Sequence, residues 1–206
     1  DTAEALTALA RIRFPEPEWE ERRTGALERA LRWQVSMQNR DGGWAAFDKD
    51  CDKWILTLVP FADHNAMIDP STADITSRTL IALRAHGFDV DDEPVRRGLE
   101  FLYRHQEDDG SWYGRWGCNY LYGTWLALEA LSELGEPADS ERVQAAARWI
   151  RERQNSDGGW GETLDSYHDP ERKGIGHSTA SQTAWALMGL LASGDRDSEA
   201  LLSGVD

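Results

Sequence analysis

One seven-residue phrase occurs three times in this chain and constrains its fold more than any other feature. It reads Gln38-Asn-Arg-Asp-Gly-Gly-Trp44, then Gln106-Glu-Asp-Asp-Gly-Ser-Trp112, then Gln154-Asn-Ser-Asp-Gly-Gly-Trp160. An aromatic residue stands five before each Gln (Trp33, Phe101, Trp149), and a small one eight before it (Ala30, Gly98, Ala146). Such self-similarity marks a helical repeat protein, in which each unit buries its apolar face only against its neighbours.

Each unit reads as two helices. The first runs into the phrase: over residues 141 to 153, Val143, Ala146, Ala147, Trp149 and Ile150 form one apolar stripe with Arg and Glu opposite. Asp-Gly and Gly-Gly then break the helix and force a turn. A second helix follows a variable loop, at Ile75 to His86, Gly123 to Leu134 and Gln182 to Ala192, with Gly87, Gly135 and Gly194 where a C-terminal cap belongs. These second helices are rich in apolar and small residues and suit an inner layer, whereas the charged first helices suit an outer one. Thr2, Thr76, Thr124 and Thr183 each lead an apolar run, so the chain opens inside the inner helix of a fourth unit. The expected fold class is all-α, an α/α toroid of helical hairpins. Residues 1–206 read as part of a single α/α-barrel catalytic domain, about three and a half helix-pair repeats truncated at both ends. The inner helices would then start at one end of a central cavity.

The phrase itself reads as a structural brace between units, not as a sugar- or cation-binding surface. A helix C-terminus leaves carbonyls unsatisfied, and a Gln amide there can donate to them while the following Trp stacks on the amide plane. That reading covers Gln38, Trp44, Gln106, Trp112, Gln154 and Trp160.

Charge and composition exclude several classes. Asp plus Glu number 37 against 22 Lys plus Arg, a formal charge of -15 that would repel nucleic-acid phosphates. Cys51 and Cys118 are free thiols in this reading, without zinc spacing to the five His residues. The reading expects no signal peptide, and no apolar run approaches the ~20 residues of a membrane-spanning helix. Asp89-Val-Asp-Asp92 is a helix-capping acidic loop, and Asp48-Lys-Asp-Cys-Asp52 lacks the Gly and Glu of a calcium loop.

The repeated phrases are similar to the QW motif of the triterpene cyclases, and the whole chain resembles the catalytic half of the squalene-hopene cyclases. The strongest stretch is Asp109-Gly-Ser-Trp-Tyr-Gly-Arg-Trp-Gly-Cys-Asn-Tyr-Leu-Tyr-Gly-Thr124. Others are Pro60-Phe-Ala-Asp-His64, Asp69-Pro-Ser-Thr-Ala-Asp-Ile-Thr76 and Ser181-Gln-Thr-Ala-Trp-Ala-Leu-Met188. The resemblance implies cyclisation of squalene, or a similar polyprenyl substrate, to hopene or hopanol with no metal and no cofactor. A carboxylic acid protonates the terminal double bond, and the cation runs through the folded chain until a proton is lost or water adds. The resemblance further implies a monotopic protein at the cytoplasmic face of the inner membrane, with a homodimer left open.

The family's acid lies in a D-x-D-D-T-A motif. Asp1-Thr2-Ala3 matches its end, making Asp1 the last Asp and putting the proton donor one residue upstream. That donor would sit two before Thr2, as Asp74 sits two before Thr76 and Tyr122 two before Thr124, so repeat alignment gathers them at one mouth of the cavity. A carboxyl at a helix N-terminus becomes a stronger acid, the direction alkene protonation needs. Arg78, where familiar members have a His, is one turn beyond Asp74 and could pair with it. Trp116 and Tyr122 match aromatics of the active-site wall, whose ring faces stabilise a cation, and Phe61 matches an aromatic of the substrate channel. Phe47 stands for a Tyr and His64 for a Phe of the familiar pattern, departures that leave the product open. A different polyprenyl substrate (oxidosqualene or a C35 prenyl chain), a carbohydrate-active toroid and a binding scaffold are the competing readings.

Overall fold

The structure, a computed structural model, describes residues 1–58 and 67–205. Among these residues the chain is helical, without named strands. Its helices are α1 (Thr2–Ala10), α2 (Pro17–Ser36), α3 (Ala73–Ala85), α4 (Glu93–Arg104), α5 (Tyr120–Glu133), α6 (Glu141–Glu152), α7 (Ala180–Ala192) and α8 (Glu199–Ser203). They alternate as the repeat predicts: α1, α3, α5 and α7 are the apolar members, α2, α4 and α6 the charged ones, and the short α8, with one Glu in five residues, follows in the place of the next charged helix. The chain divides into two compact units, Asp1–Phe101 and Leu102–Asp206.

In the first unit α1 packs on α2 and α3. Ala3, Leu6, Leu27 and Ala82 are the buried centre of that contact. In the second unit α5 packs chiefly on α7, and α6 lies against both. The α6 stripe is buried as its periodicity requires: Val143, Ala146, Ala147, Trp149 and Ile150. Two details differ from the sequence reading. The helices α3, α5 and α7 each begin two or three residues earlier than expected, so Asp74 and Tyr122 lie inside their first turns. Trp33 is 47 % exposed, whereas its counterparts Phe101 and Trp149 are buried.

The three braces are superimposable bond for bond, but they correct the expected division of labour. The indole, not the Gln, takes the orphan carbonyl of the helix end: Trp44, Trp112 and Trp160 Nε1 donate to Gln34, Leu102 and Ile150 O at 2.8, 2.8 and 2.7 Å. Each Gln reaches forward. Its Nε2 donates to the turn glycine, Gly42, Gly110 or Gly158, and to a carbonyl of the following charged helix, Pro94, Arg142 or Ala200, all within 2.7–3.0 Å. The backbone N–H of each Trp donates to the threonine that opens the apolar run, Thr76, Thr124 or Thr183, at 3.0, 2.9 and 3.0 Å. One phrase thus joins the end of one helix, the start of the next and the start of the one after. All three Trp side chains are fully buried. Gly42, Gly110 and Gly158 have φ of +94°, +94° and +84°. A Cβ there would come within 2.5, 2.8 and 2.3 Å of the carbonyl oxygens of Arg97, Ala145 and Ser203, so both backbone conformation and space demand glycine.

Gly87, Gly135 and Gly194 close α3, α5 and α7 with φ of +88°, +82° and +87°, as expected of C-terminal caps. In the acidic loop between α3 and α4, Asp92 accepts the Asp89 N–H at 2.7 Å, and Asp89 pairs with Arg84 in the last turn of α3.

Candidate active site

Within the first unit, α1 and α3 run in the same direction. Glu4 in the first turn of α1 forms an ion pair with Arg78 in the second turn of α3. Further along, Leu6 O lies 2.9 Å from His86 Nε2. Asp1 and Asp74 each precede the Glu4–Arg78 pair by about one turn, so this register brings both carboxylates to the same end of the helix pair. Asp1 is exposed and Asp74 is fully buried. Asp74 Oδ1 accepts the Ile75 N–H at 3.0 Å and the Thr72 hydroxyl. Thr76 is committed to Trp44. The brace thus fixes the α3 start, and Asp74 occupies a first-turn position that the brace leaves unused.

The loop ahead of α3 is anchored by Asp69, a residue that sequence reasoning did not single out. Its carboxylate accepts the N–H groups of Ala46, Phe47 and Asp48 at 3.3, 2.5 and 2.8 Å. Its own N–H donates to Cys51 O at 2.7 Å, closing a single antiparallel bridge. Phe47, 71 % exposed, is held through its backbone, with its ring outward. Phe61 and His64 lie outside the described residues.

In the second unit, Tyr122 sits in the first turn of α5. Its ring meets Trp185 of α7 at 4.9 Å and Trp125 at 5.8 Å between centroids, and Trp125 stacks on Trp185 at 6.1 Å. Trp116 is 40 % exposed, with the Arg115 guanidinium 5.7 Å from its ring centroid. Gly117 brings this segment onto Tyr122: a Cβ on it would stand 2.5 Å from the Tyr122 ring. The Tyr167 hydroxyl bonds to Arg115 O and Gly117 O at 3.1 and 2.9 Å and ties the segment down.

Sequence reasoning also missed Glu162, two residues past Trp160. It is buried, and its Oε2 accepts the N–H groups of Asn119 and Leu121, both at 3.0 Å. Gln182 in the first turn of α7 accepts the Glu162 N–H at 3.0 Å and donates to Glu162 O and Cys118 O at 2.9 and 3.1 Å. Burial, reinforced by the Glu162 charge, pushes the Cys118 thiol up to about 11, so it stays protonated and carries no nucleophile. The available signal was a lone acidic residue in a glycine turn, where the other two phrases have Ala46 and Gly114. Among the described residues, no group of three or more His, Cys, Asp or Glu is placed to hold a metal. No helix among them is long and apolar enough to cross a membrane.

Fold and site together define an all-α protein of braced helical hairpins, with buried carboxylates at the starts of its apolar helices. The chain belongs to the squalene-hopene cyclase C-terminal domain family, whose model matches residues 1–206. It is 47 % identical over 95 % of its length to a dammaradiene synthase of Dryopteris crassirhizoma, covering 31 % of that protein. It is 44 % identical to squalene–hopene cyclases of Zymomonas mobilis, over 86 % of this chain and 27 % of that protein, and of Alicyclobacillus acidocaldarius, over 100 % and 32 %. The chain therefore spans about a third of the curated relatives it matches. Its fold is shared with an ent-copalyl diphosphate synthase from Streptomyces platensis, at a TM-score of 0.52 and 20 % identity over 98 % of this chain and 41 % of that one. The helical-hairpin repeat of the α/α-toroid class is thereby the fold of this chain.

Proposed function

We propose that the chain is part of the catalytic domain of a class II triterpene cyclase, which protonates a terminal double bond of squalene and closes rings by cation–alkene steps. The proton goes from an aspartic acid to the terminal alkene carbon and leaves a tertiary cation. Each ring closure moves the charge along the substrate, until loss of a proton gives hopene or addition of water gives hopanol. The observation that carries this reading is Asp74, a carboxyl fully buried in the first turn of α3 in a chain of this family. Asp1, Asp74 and Arg78 are assigned to the acid and its support, and the Tyr122 hydroxyl to orienting a water beside it. Trp116, Phe47, Phe61 and His64 are assigned to the substrate and cation wall, where ring faces are worth up to ~2 kcal/mol per desolvated contact.

The test is squalene turnover by the full-length protein, with products read by gas chromatography and mass spectrometry. Cyclised C30 hydrocarbon or alcohol is expected, and unchanged squalene would refute the assignment. The dammaradiene synthase relative favours a second reading, in which the same proton-initiated chemistry ends in a different skeleton; the same product analysis separates the two. Residues 1–206 alone, as a piece of one domain, are expected to be inactive. The full-length protein is assigned to a membrane surface, peripherally, because its substrate is a hydrocarbon dissolved in lipid. Co-sedimentation with vesicles tests that assignment, and sedimentation analysis tests a homodimer.

A further inference from the structure

We infer that Glu162 is a positioning residue for Tyr122, acting by capping α5 from outside its own helical hairpin. The inference rests on the role just assigned to Tyr122. The third brace is complete without Glu162: Gln154, Trp160 and Thr183 make all the bonds that the corresponding residues of the other two braces make. Glu162 instead reaches back more than forty residues to the start of a different apolar helix. That helix start needs an acceptor. Asn119 stands at the N-cap of α5 but makes no side-chain cap bond, because its Oδ1 is spent on the Gly114 N–H at 3.2 Å. Glu162 Oε2 takes the vacant role, receiving the first free amides where the helix dipole also favours an anion.

Fold stability alone does not account for a carboxylate there. Glu162 is only 6 % exposed, its Oε1 has no hydrogen-bond partner, and neither does the Asn119 Nδ2. A buried, half-satisfied charge is a weak stabiliser against a neutral or apolar replacement. What the acceptor oxygen does secure is register. Glu162 bonds to Asn119 and Leu121, the residues flanking the helix start, and Tyr122 follows directly. The backbone beneath that carboxylate is bolted to the first turn of α7: Gln182, three residues before Trp185, accepts the Glu162 N–H and donates to the Glu162 carbonyl. Trp185 is the ring that Tyr122 meets at 4.9 Å. The Glu162 carboxylate thus ties the backbone that carries Tyr122 to a segment whose own backbone is bonded to the helix of the ring that confines it.

The test uses the full-length protein with squalene and the variants Glu162→Gln, Glu162→Ala, Tyr122→Phe and the Glu162→Ala/Tyr122→Phe double variant. Glu162→Ala should lower kcat by between ~10-fold and ~100-fold with KM little changed, the size expected of a misplaced group. Glu162→Gln, whose amide oxygen can still accept both N–H groups, should retain kcat to within about threefold. In the Tyr122→Phe background, Glu162→Ala should cost nothing further. A full additional loss there, or wild-type kcat in Glu162→Ala, would overturn the inference. A readout independent of activity guards against failure of the functional reading. Crystal structures of the wild-type and Glu162→Ala proteins should differ by more than ~1 Å in the Tyr122–Trp185 ring separation, a shift large enough to misplace a reacting group. An unchanged separation would also overturn the inference, whatever the enzyme proves to cyclise.

Discussion

At the head of α3 the Trp44 amide is received by Thr76, and at the head of α5 the Trp112 amide by Thr124, at 3.0 and 2.9 Å. Two residues before those threonines the likeness ends. Asp74, in α3, is an acid belonging to the helix itself, bonded to Ile75 and Thr72. Tyr122, in α5, is no acid, and the carboxylate at that helix start is supplied by Glu162 from elsewhere in the chain. Both helix starts therefore bury a carboxylate, one from within and one from outside. The difference separates scaffold from chemistry. Positions used by the brace are dictated by hydrogen-bond accounting at helix ends, so they recur. First-turn positions that the brace does not use are free to differ, and Asp74 and Tyr122 fall there.

The largest effect should come from removing the brace itself. Trp44→Ala and Trp112→Ala each delete a fully buried indole and orphan a helix-end carbonyl, and each should lower stability by about 3–5 kcal/mol. That is a large part of what holds a domain folded. Thermal unfolding of the full-length protein checks it. A much smaller loss at either Trp would show that the two helix starts are not built alike.

Next in size is the contrast in chemistry. Asp74→Asn is isosteric and should leave the melting temperature nearly unchanged, yet cut squalene turnover at least ~100-fold. Tyr122→Phe should lose between ~10-fold and ~100-fold, since it removes the hydroxyl that orients a water and leaves every carboxyl in place. Equal and small losses in single-turnover assays would place neither residue at the reacting end.

The distinction also explains what could be read from the sequence. The repeat was legible because each brace bond is local and occurs three times, at fixed spacings from Gln and Trp. The glycine caps were legible for the same reason, as was the alignment of Thr76, Thr124 and Thr183, although not that their hydroxyls receive the Trp amides. The partners of Gln38, Gln106 and Gln154 were misassigned. The orphan carbonyl nearest in sequence lies in their own helix, whereas the fold brings in a carbonyl 36 to 56 residues away. Asp69 and Glu162 left no periodic trace at all. Each occurs once, and each bonds to backbone amides that any residue could supply, so only the folded chain reveals the pairing. The candidate acids Asp1 and Asp74 came from resemblance and repeat register together.

A milder substitution asks whether the two helix starts are equally dependent on their threonines. Thr76→Val and Thr124→Val keep the shape and remove the acceptor for a buried Trp amide. Each should lower stability by about 1–3 kcal/mol, the usual penalty for a buried donor left unpaired. Chemical denaturation with an unchanged m-value would show the loss to be one of stability. A clearly smaller loss for Thr124→Val would mean that Glu162 holds the α5 start on its own.

The smallest expected effect comes from a third carboxylate, which serves as a control for the other two. Asp195, just past the Gly194 cap of α7, is held by a charged side chain: Arg151 Nε and Nη2 donate to it at 3.0 and 2.7 Å, with Ser198 N at 3.1 Å. Burial pushes its pKa up, but the hydrogen bonds from Arg151 and Ser198 outweigh burial and hold the carboxyl below its usual range. A depressed folded-state pKa means that the unfolded chain takes up the proton first, so the contribution is present above about pH 4 and fades as pH falls below it. Because Arg151 is a third exposed, Asp195→Asn should lower stability by only about 1 kcal/mol at pH 7 and by less near pH 2.5. Added salt should weaken the effect at pH 7, since this pair reaches solvent. Denaturation midpoints of the variant and the wild type, compared at both pH values and at low and high salt, check both statements. A pH-independent loss would mean that Asp195 works through its bonds to Ser198 alone. The charge itself would then contribute nothing.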